Sequence, residues 1–176
     1  VVVAAQLAAG PAGITVSTRK EADQFFARGV TDILYAVGMA PHRLAHALDL
    51  RQRGCALQIL TDSVEGARAI AEYGRAHGHA FEVLIEIDTD GHRSGIKPGE
   101  NLLLEVGRVL HEGGMRLAGV LTHAGSSYEL HTPQALAALA EQERAGCVQA
   151  AERLRAAGLP CPIVSVGSTP TALEAA

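Results

Sequence analysis

Tryptophan is absent from the 176-residue chain, and aromatic residues of all kinds make up only 3% of it. Proteins that bind single-stranded nucleic acid stack the bases on aromatic rings, so this mode of binding is disfavoured. Positive charge is also scarce, because 15 lysines and arginines stand against 19 aspartates and glutamates and leave a formal net charge of −4. A nucleic acid or an anionic membrane is therefore an unfavourable partner.

Cysteine is similarly sparse. The three cysteines, Cys55, Cys147 and Cys161, are widely spaced and form no CxxC pair, so neither a disulfide framework nor a zinc knuckle is expected. No apolar run approaches the roughly 18 residues of a membrane span, and the apolar start at Val1 lacks the basic flank of a signal peptide. These absences favour a protein of the reducing cytoplasm.

What the chain does contain is enough apolar sequence for a core, with 48% apolar and 19% charged residues. This composition excludes a disordered chain and favours one globular domain. Six short apolar runs each precede a segment of helical period, which predicts strands alternating with helices. The runs are residues 13–16, 32–37, 57–60, 81–87, 117–121 and 162–166.

The segments between the runs begin and end as helices do. Thr18 with Glu21 forms a capping-box pattern, Asp62 with Glu65 forms a similar one, and Thr132 precedes a proline at the first helical position. Glycines supply the stops at Gly29, Gly54, Gly78, Gly113 and Gly158.

Strict alternation of nearly continuous apolar strands with helices predicts an α/β fold of parallel strands buried on both faces. An open doubly wound sheet and a (β/α)8 barrel are both compatible, and the length favours the open sheet because a barrel needs about 250 residues. However, residues 1–10 resemble the tail of a helix without a preceding strand, and residues 169–176 begin a helix that the chain does not complete. We therefore expect a partial (β/α)8 barrel, truncated at both ends.

Ligands of such folds bind at the carboxyl ends of the strands. The fourth run is followed by a long polar loop, residues 88–95, in which Arg93 offers the fixed donors of a guanidinium to an oxyanion or a phenolate. An ordinary solvated turn would have the same composition.

The fifth run is followed by His123, small residues and Tyr128. A histidine at the mouth of a buried strand can place its ring against a planar ligand, and Tyr128 can contact the same ligand. A histidine with a purely structural role is the alternative.

The sixth run is followed by Gly167, Ser168 and Thr169 at the start of a helix. Glycine lets the backbone approach an anion closely, and the free amides of a helix start favour a phosphate group. A plain Ser/Thr helix cap is the alternative.

Taken together, these motifs resemble the fold-type III pyridoxal-phosphate enzymes, the alanine-racemase-like barrel group, and within it the D-threonine aldolase and D-serine dehydratase branch. The resemblance extends over essentially the whole chain. It is carried by residues 6–10 with 13–16, 21–22, 32–35, 86–88 with 93–95, 122–125 with Tyr128, and 166–171.

The resemblance implies that pyridoxal 5'-phosphate is the cofactor, with Arg93 near it, His123 against its ring, Tyr128 lining the pocket, and Gly167, Ser168 and Thr169 on its phosphate. It also implies a Schiff-base lysine on a first barrel strand upstream of Val1, because Lys20 and Lys97, the only lysines, do not match its position. A C-terminal β-domain, with ligands for a divalent metal (Mn, Mg or Zn), is expected beyond this chain. Residues 1–176 are thus expected to be a fragment, inactive alone, that provides no catalytic residue.

The implied function is a lyase acting on a small D-β-hydroxy amino acid, with D-threonine aldolase, which releases glycine and an aldehyde, as the main expectation. A D-serine-dehydratase-type ammonia lyase and a non-catalytic pyridoxal-phosphate carrier are alternatives on the same barrel. An unrelated barrel enzyme acting on a phosphorylated sugar, with Asp88 as acid or base, is the alternative outside it. Exposed strand edges also predict a homo-oligomer.

Overall fold

A computed structural model describes residues 13–174, in which six strands alternate with helices. The strands are β1 (Ile14–Val16), β2 (Asp32–Gly38), β3 (Ala56–Thr61), β4 (Glu82–Glu86), β5 (Arg116–Leu121) and β6 (Ile163–Ser165). The helices are α1 (Arg19–Phe26), α2 (Leu44–Gln52), α3 (Val64–Ala76), α4 (Leu102–Glu112), α5 (Pro133–Ala156) and α6 (Thr169–Ala172). Short 3-10 turns occupy Pro41–Arg43 and Gly125–Glu129. All six predicted strands are confirmed, whereas the helix expected over residues 1–10 lies outside the described residues.

The order of the strands decides between the two predicted architectures. The six strands form one sheet in the order β1-β2-β3-β4-β5-β6, and every neighbouring pair is parallel. A doubly wound sheet reverses its strand order at a switch point, whereas strands added always on the same side curl into the wall of a barrel. The sheet is therefore part of a barrel, as expected.

Alternate residues of the strands face two separate apolar layers. Ile59 and Val83 belong to the large cluster packed between the sheet and the helices, whereas Leu60 and Leu84 belong to a smaller cluster on the other face. Side chains of a strand point alternately to opposite faces, and both faces are buried here. This explains why the strands appear in the sequence as continuous apolar runs.

Helix boundaries follow the predicted chemistry with one correction. The Thr18–Glu21 capping box and the Thr132 cap form as expected. The predicted Asp62 cap is wrong, because Ser63 caps α3 through the Gly66 amide, while the Asp62 carboxylate accepts a hydrogen bond from the Gly95 amide. Helix α4 ends with Gly113 as its C-cap, as predicted, and the positive φ of +83° falls on the next residue, Gly114.

Strand β5 contains a bulge that brings β6 close. Val83 pairs with Leu117 and Leu84 pairs with Gly119, so Ala118 is an extra residue on β5. Gly119 has φ +154°, and a Cβ atom there would lie 2.0 Å from the Ile163 carbonyl oxygen. Only glycine permits this approach of the two strands.

Within residues 13–174, no helix has both the length and the apolar character needed to cross a membrane.

Candidate functional site

An open cleft of about 740 Å³ lies at the carboxyl ends of the strands. Its walls come from the carboxyl-terminal residues of β1, β2, β4, β5 and β6 and from the segments that follow β1, β4, β5 and β6, so residues far apart in sequence meet there. Of the six residues predicted to bind a cofactor, five line this cleft: Arg93, His123, Gly167, Ser168 and Thr169. These residues therefore meet at the strand ends as expected, and their binding of a ligand stays a prediction.

The loop after β4 is ordered by its own hydrogen bonds. The Ile96 amide donates to the Glu86 carbonyl at 2.9 Å and the Asp88 amide donates to the Ile96 carbonyl at 3.0 Å, while the Gly91 amide donates to Oδ1 of Asp88 at 2.7 Å. Asp88 is therefore a turn-forming residue. This local order makes residues 88–95 more than a solvated turn.

The aliphatic part of the Arg93 side chain packs against the next loop. A Cβ atom at Gly125 would lie 2.6 Å from Cγ of Arg93, so only glycine leaves room for this contact. The arginine itself is exposed and lines the cleft. Its guanidinium is thus anchored through its aliphatic part while its charge remains available to a ligand.

Asp90 ties the loop after β4 to the loop after β5. Its Oδ2 accepts hydrogen bonds from the Ser126 amide at 2.9 Å and the Ser126 hydroxyl at 2.7 Å. Burial acts to raise the pKa of Asp90, but the donors from Ser126 and the His92 amide outweigh it and hold the pKa below its usual value. The carboxylate therefore stays ionised and keeps the two loops together.

His123 is half-buried at the mouth of β5. Burial lowers its pKa below the usual value, and the nearby positive charge of Arg93 lowers it further, against opposing effects of Glu143, Asp90 and the Gly167 backbone. The imidazole is therefore neutral at neutral pH, a state suited to contact with an uncharged aromatic ring.

Tyr128 stands apart from the other predicted residues. Its ring stacks on His123 with a centroid distance of 5.9 Å and an interplanar angle of 29°. The side chain is 57% exposed and does not line the cleft. Its contact with a cofactor stays a prediction.

The turn after β6 places backbone rather than the Ser168 side chain at the cleft. Ser168 is buried, caps α6, and its hydroxyl lies 2.8 Å from the Ser127 hydroxyl, so the plain-cap alternative describes this side chain correctly. Gly167 has φ +125°, and a Cβ atom there would meet no atom within 4 Å. Among the described residues, the Gly167 and Thr169 amides find no acceptor.

Two glutamates were not assigned a role from the sequence. Glu86 ends β4, lines the cleft and accepts a hydrogen bond from the Ser94 hydroxyl at 2.9 Å. Burial raises its pKa above the usual value despite the Ser94 donor, and the Asp62 and Asp88 carboxylates add to the shift. Its position at the carboxyl end of a predicted strand was the sequence feature that could have identified Glu86 as a residue of the cleft.

Glu143 is the second glutamate, and it is 1% exposed on α5. It lies four residues after Leu139 and four before Cys147, both buried. That helical spacing could have identified Glu143 as a buried residue from the sequence, because it puts a carboxylate on the apolar face of the helix.

The two lysines lie outside the cleft. Lys20 and Lys97 are exposed, and neither lines it. Residues 13–174 also contain no cluster of three or more histidines, cysteines, aspartates or glutamates able to hold a metal. The described residues therefore do not fit a metal centre, and the divalent metal expected from the resemblance stays a prediction.

Three curated proteins that match this chain are lyases. The chain is 74% identical over 175 residues to D-threo-3-hydroxyaspartate dehydratase from Delftia sp. (strain HT23), covering 99% of this chain and 46% of that protein. It is 29% identical over 166 residues to D-serine dehydratase from Dictyostelium discoideum, covering 90% and 42%. It is 26% identical over 168 residues to D-threonine aldolase from Arthrobacter sp, covering 95% and 44%.

Solved structures agree with this similarity. The Delftia sp. HT23 dehydratase superposes with a TM-score of 0.98 at 73% identity, over 99% of this chain and 46% of that chain. Alanine racemase from Clostridium difficile 630 superposes with a TM-score of 0.75 at 19% identity, over 97% and 45%, and shows that the fold is shared.

The similarity to known proteins bears on the choice between the aldolase and the dehydratase expected from the sequence. This chain spans less than half the length of these three relatives. The aldolase expectation is not supported over the dehydratase alternative, because the identity is 26% to the aldolase and 74% to a dehydratase. The sequence profile described as the alanine racemase N-terminal domain matches residues 1–176, and the chain therefore belongs to this family of pyridoxal-phosphate-binding barrels.

Proposed function

We propose that the complete protein is a pyridoxal-phosphate-dependent ammonia lyase that dehydrates a D-β-hydroxy amino acid, with D-threo-3-hydroxyaspartate as the first candidate substrate. The observation that carries this proposal is the 74% identity to a D-threo-3-hydroxyaspartate dehydratase over 99% of the chain. The cleft supports it, because five of the six residues expected to bind the cofactor converge there.

The groups at the cleft fit pyridoxal phosphate chemically. A phosphate needs backbone amides or hydroxyls, and the turn at Gly167 and Thr169 offers both, with open space beside the Gly167 α-carbon. A pyridine ring needs a flat uncharged neighbour, which His123 provides because its pKa is lowered. The phenolate oxygen of the cofactor needs a cation, which Arg93 provides.

In the reaction we propose, this chain binds and orients the cofactor. When bound, pyridoxal phosphate withdraws electrons from the α-carbon of an amino acid. His123 would pack against the ring, Arg93 would neutralise the phenolate, and the turn at Gly167 and Thr169 would hold the phosphate. Overall, a D-β-hydroxy amino acid loses its β-hydroxyl group and its α-proton as water, and one water then hydrolyses the resulting imino acid, so that the net products are a 2-oxo acid and ammonia.

The lysine that bonds to the cofactor would come from outside residues 13–174, and so would the ligands of the metal. We also propose a cytoplasmic homo-oligomer, the state expected from the sequence. Mass spectrometry after borohydride reduction of the cofactor complex should find the modified lysine at neither Lys20 nor Lys97. Labelling of either residue would contradict this proposal.

The proposed lyase activity should be tested with the complete protein. Ammonia and 2-oxo acid release should be measured with D-threo-3-hydroxyaspartate and D-serine, and glycine and aldehyde release with D-threonine. We expect 2-oxo acid release to be fastest from D-threo-3-hydroxyaspartate. Faster aldehyde release from D-threonine would overturn the proposal, and cofactor binding without turnover of any of these substrates would favour the non-catalytic carrier.

The phosphate site has a matched glycine control. Gly167 and Gly158 both have positive φ, and a Cβ atom at either would meet no neighbour within 4 Å, but only Gly167 lines the cleft. Gly167→Leu should therefore weaken pyridoxal-phosphate binding by about tenfold or more, whereas Gly158→Leu should leave it unchanged. Equal affinity of the two variants would remove the turn from the proposed site.

A further inference from the structure

A closed ring of hydrogen-bonding groups lies beneath the cleft, between the loops after β5 and β6. Its five members are at most 4% exposed: Ala124, Ser127, Glu143, Ser168 and Thr171. Of these five residues, only Ser168 was expected from the sequence to bind a ligand. Its side chain faces this ring instead of the cleft. The ring therefore links the two loops without occupying the space of a cofactor.

The carboxylate of Glu143 joins the two loops directly. Its Oε1 accepts a hydrogen bond from the Ala124 amide at 2.9 Å, and Ala124 directly follows His123. Its Oε2 accepts one from the Thr171 hydroxyl at 2.7 Å. The same hydroxyl accepts a hydrogen bond from the Ser168 amide at 2.9 Å, so one carboxylate connects the backbone directly after the histidine with the turn after Gly167.

The hydroxyl groups close the ring on its other side. The Ser168 hydroxyl lies 2.9 Å from the Thr171 hydroxyl and donates to the Ser127 hydroxyl at 2.8 Å. The Ser127 hydroxyl donates to the Ala124 carbonyl at 2.8 Å. Each loop is thus held by two routes, through Glu143 and through the serines.

A buried carboxylate is a costly way to fill this space. Glu143 forms no ion pair with any residue of the described chain, and burial of a charge without a cationic partner is unfavourable. Its neighbours along the inner face of α5, Leu139 and Cys147, are apolar. An apolar residue would pack there at lower cost, but it would leave the Ala124 amide and the Thr171 hydroxyl without this acceptor.

We propose that Glu143 is a positioning residue of the cofactor site, which sets the distance between the His123 ring and the phosphate-binding turn. This inference rests on the proposed function. Because the cofactor is expected to contact both loops at once, a change in their separation should weaken binding of a ligand that spans both. It should affect a ligand that lacks the phosphate much less.

The test uses four variants of the complete protein. Glu143→Leu removes both acceptors, Thr171→Val breaks the link to the turn alone, and Glu143→Gln can accept from the Ala124 amide while donating to the Thr171 oxygen. The control is Arg153→Leu on the same helix, where the arginine donates hydrogen bonds to the Pro98 and Glu100 carbonyls at 2.6 and 2.8 Å, away from the cleft.

The first measurement compares the affinity for pyridoxal phosphate with that for pyridoxal. Glu143→Leu and Thr171→Val should raise the Kd for pyridoxal phosphate by about tenfold and that for pyridoxal by about twofold or less. Glu143→Gln should restore wild-type affinity to within about threefold, and Arg153→Leu should not change the ratio of the two affinities. A folded Glu143→Leu or Thr171→Val variant with the wild-type ratio would overturn the inference.

The second measurement needs no cofactor. Hydrogen exchange in the apo protein should accelerate at the Ala124 and Ser168 amides together in Glu143→Leu, and at neither in Arg153→Leu. If the wild-type protein fails to bind pyridoxal phosphate, the proposed function is wrong, and this coupled exchange then reports on the ring alone. Unchanged exchange at both amides in Glu143→Leu would show that Glu143 does not couple the loops.

Discussion

Replacing Gly119 with alanine should detach β6 from β5 and thereby separate the two halves of the proposed cofactor site. Gly119 lies at the bulge of β5 and pairs with Ile163. A Cβ atom at this position would lie 2.0 Å from the Ile163 carbonyl oxygen and 2.9 Å from the Ile163 Cβ atom. Ordinary contact begins near 3.4 Å, so β6 cannot keep its place.

The loss in the free energy of unfolding of Gly119→Ala is the sum of two separate costs. A φ of +154° is nearly restricted to glycine, and an alanine held there costs about 1–3 kcal/mol. The clash would also weaken the pairing of Gly119, Val120 and Leu121 with β6, in which each lost backbone hydrogen bond costs about 1 kcal/mol. We expect a total loss of about 3–5 kcal/mol in the free energy of unfolding.

Gly114→Ala is the matched control. Gly114 has φ +83°, but a Cβ atom there would meet no neighbour within 4 Å, so this variant carries the cost of the backbone conformation without a clash. Its expected loss is about 1 kcal/mol. The difference between the two variants therefore measures the contact between β5 and β6.

Urea unfolding and hydrogen exchange of the complete apo protein provide the assay. Exchange of the β6 amides should accelerate in Gly119→Ala and stay unchanged in Gly114→Ala, and the affinity for pyridoxal phosphate should fall only in Gly119→Ala, because β5 leads to His123 and β6 leads to Gly167. If both variants lose the same stability and keep β6 protected, the predicted role of the bulge is wrong.

Three further predictions follow from shifted pKa values. The imidazole of His123 should titrate below the usual histidine range in NMR spectra, because burial and Arg93 lower its pKa, and Arg93→Gln should move the titration upward. Burial raises the folded-state pKa of Glu86, so its contribution to stability is present at low pH and is lost as the pH rises through that value. Glu86→Gln, which stays neutral, should therefore gain melting temperature relative to wild type as the pH rises above the usual glutamate range. Burial raises the pKa of Cys147 to about 12, so mass spectrometry should find it unmodified by iodoacetamide in the native protein at about pH 8 and modified after denaturation.

Strands were predictable from the sequence because both of their faces are buried. Ile59 and Leu60 are consecutive and fully buried on opposite sides of β3, and such neighbours produce an uninterrupted apolar run. The start of α3 was predicted one residue early because Asp62 and Ser63 are both good caps. Asp62 forms a hydrogen bond with Gly95, 33 residues away, and no local pattern contains that contact.

The lining of the cleft was predictable only where the position of a residue in the chain places it there. Arg93, His123 and Gly167 come shortly after strands, and the carboxyl ends of parallel strands meet in one place. The exposure of Tyr128 was not predictable from its place in the sequence, and the internal use of the Ser168 hydroxyl was not predictable because it depends on a contact with another loop. In particular, the partner of Ser168 is Ser127, 41 residues earlier in the sequence.

The residues exposed in the cleft contribute mainly to ligand binding. The residues buried beneath it contribute to the stability of the fold as well. Arg93 and Thr169 are exposed in the cleft, so their side chains make few contacts that folding requires. Ser127, Glu143 and Thr171 are at most 1% exposed and join loops that are distant in sequence. Substitution of the exposed pair should therefore change ligand binding with little loss of stability, whereas substitution of the buried set should change both, since an unsatisfied buried group costs about 1–3 kcal/mol. Among relatives of this barrel, sequence differences that change cofactor affinity at unchanged stability are accordingly expected at the exposed positions, because these can vary without loosening the two loops.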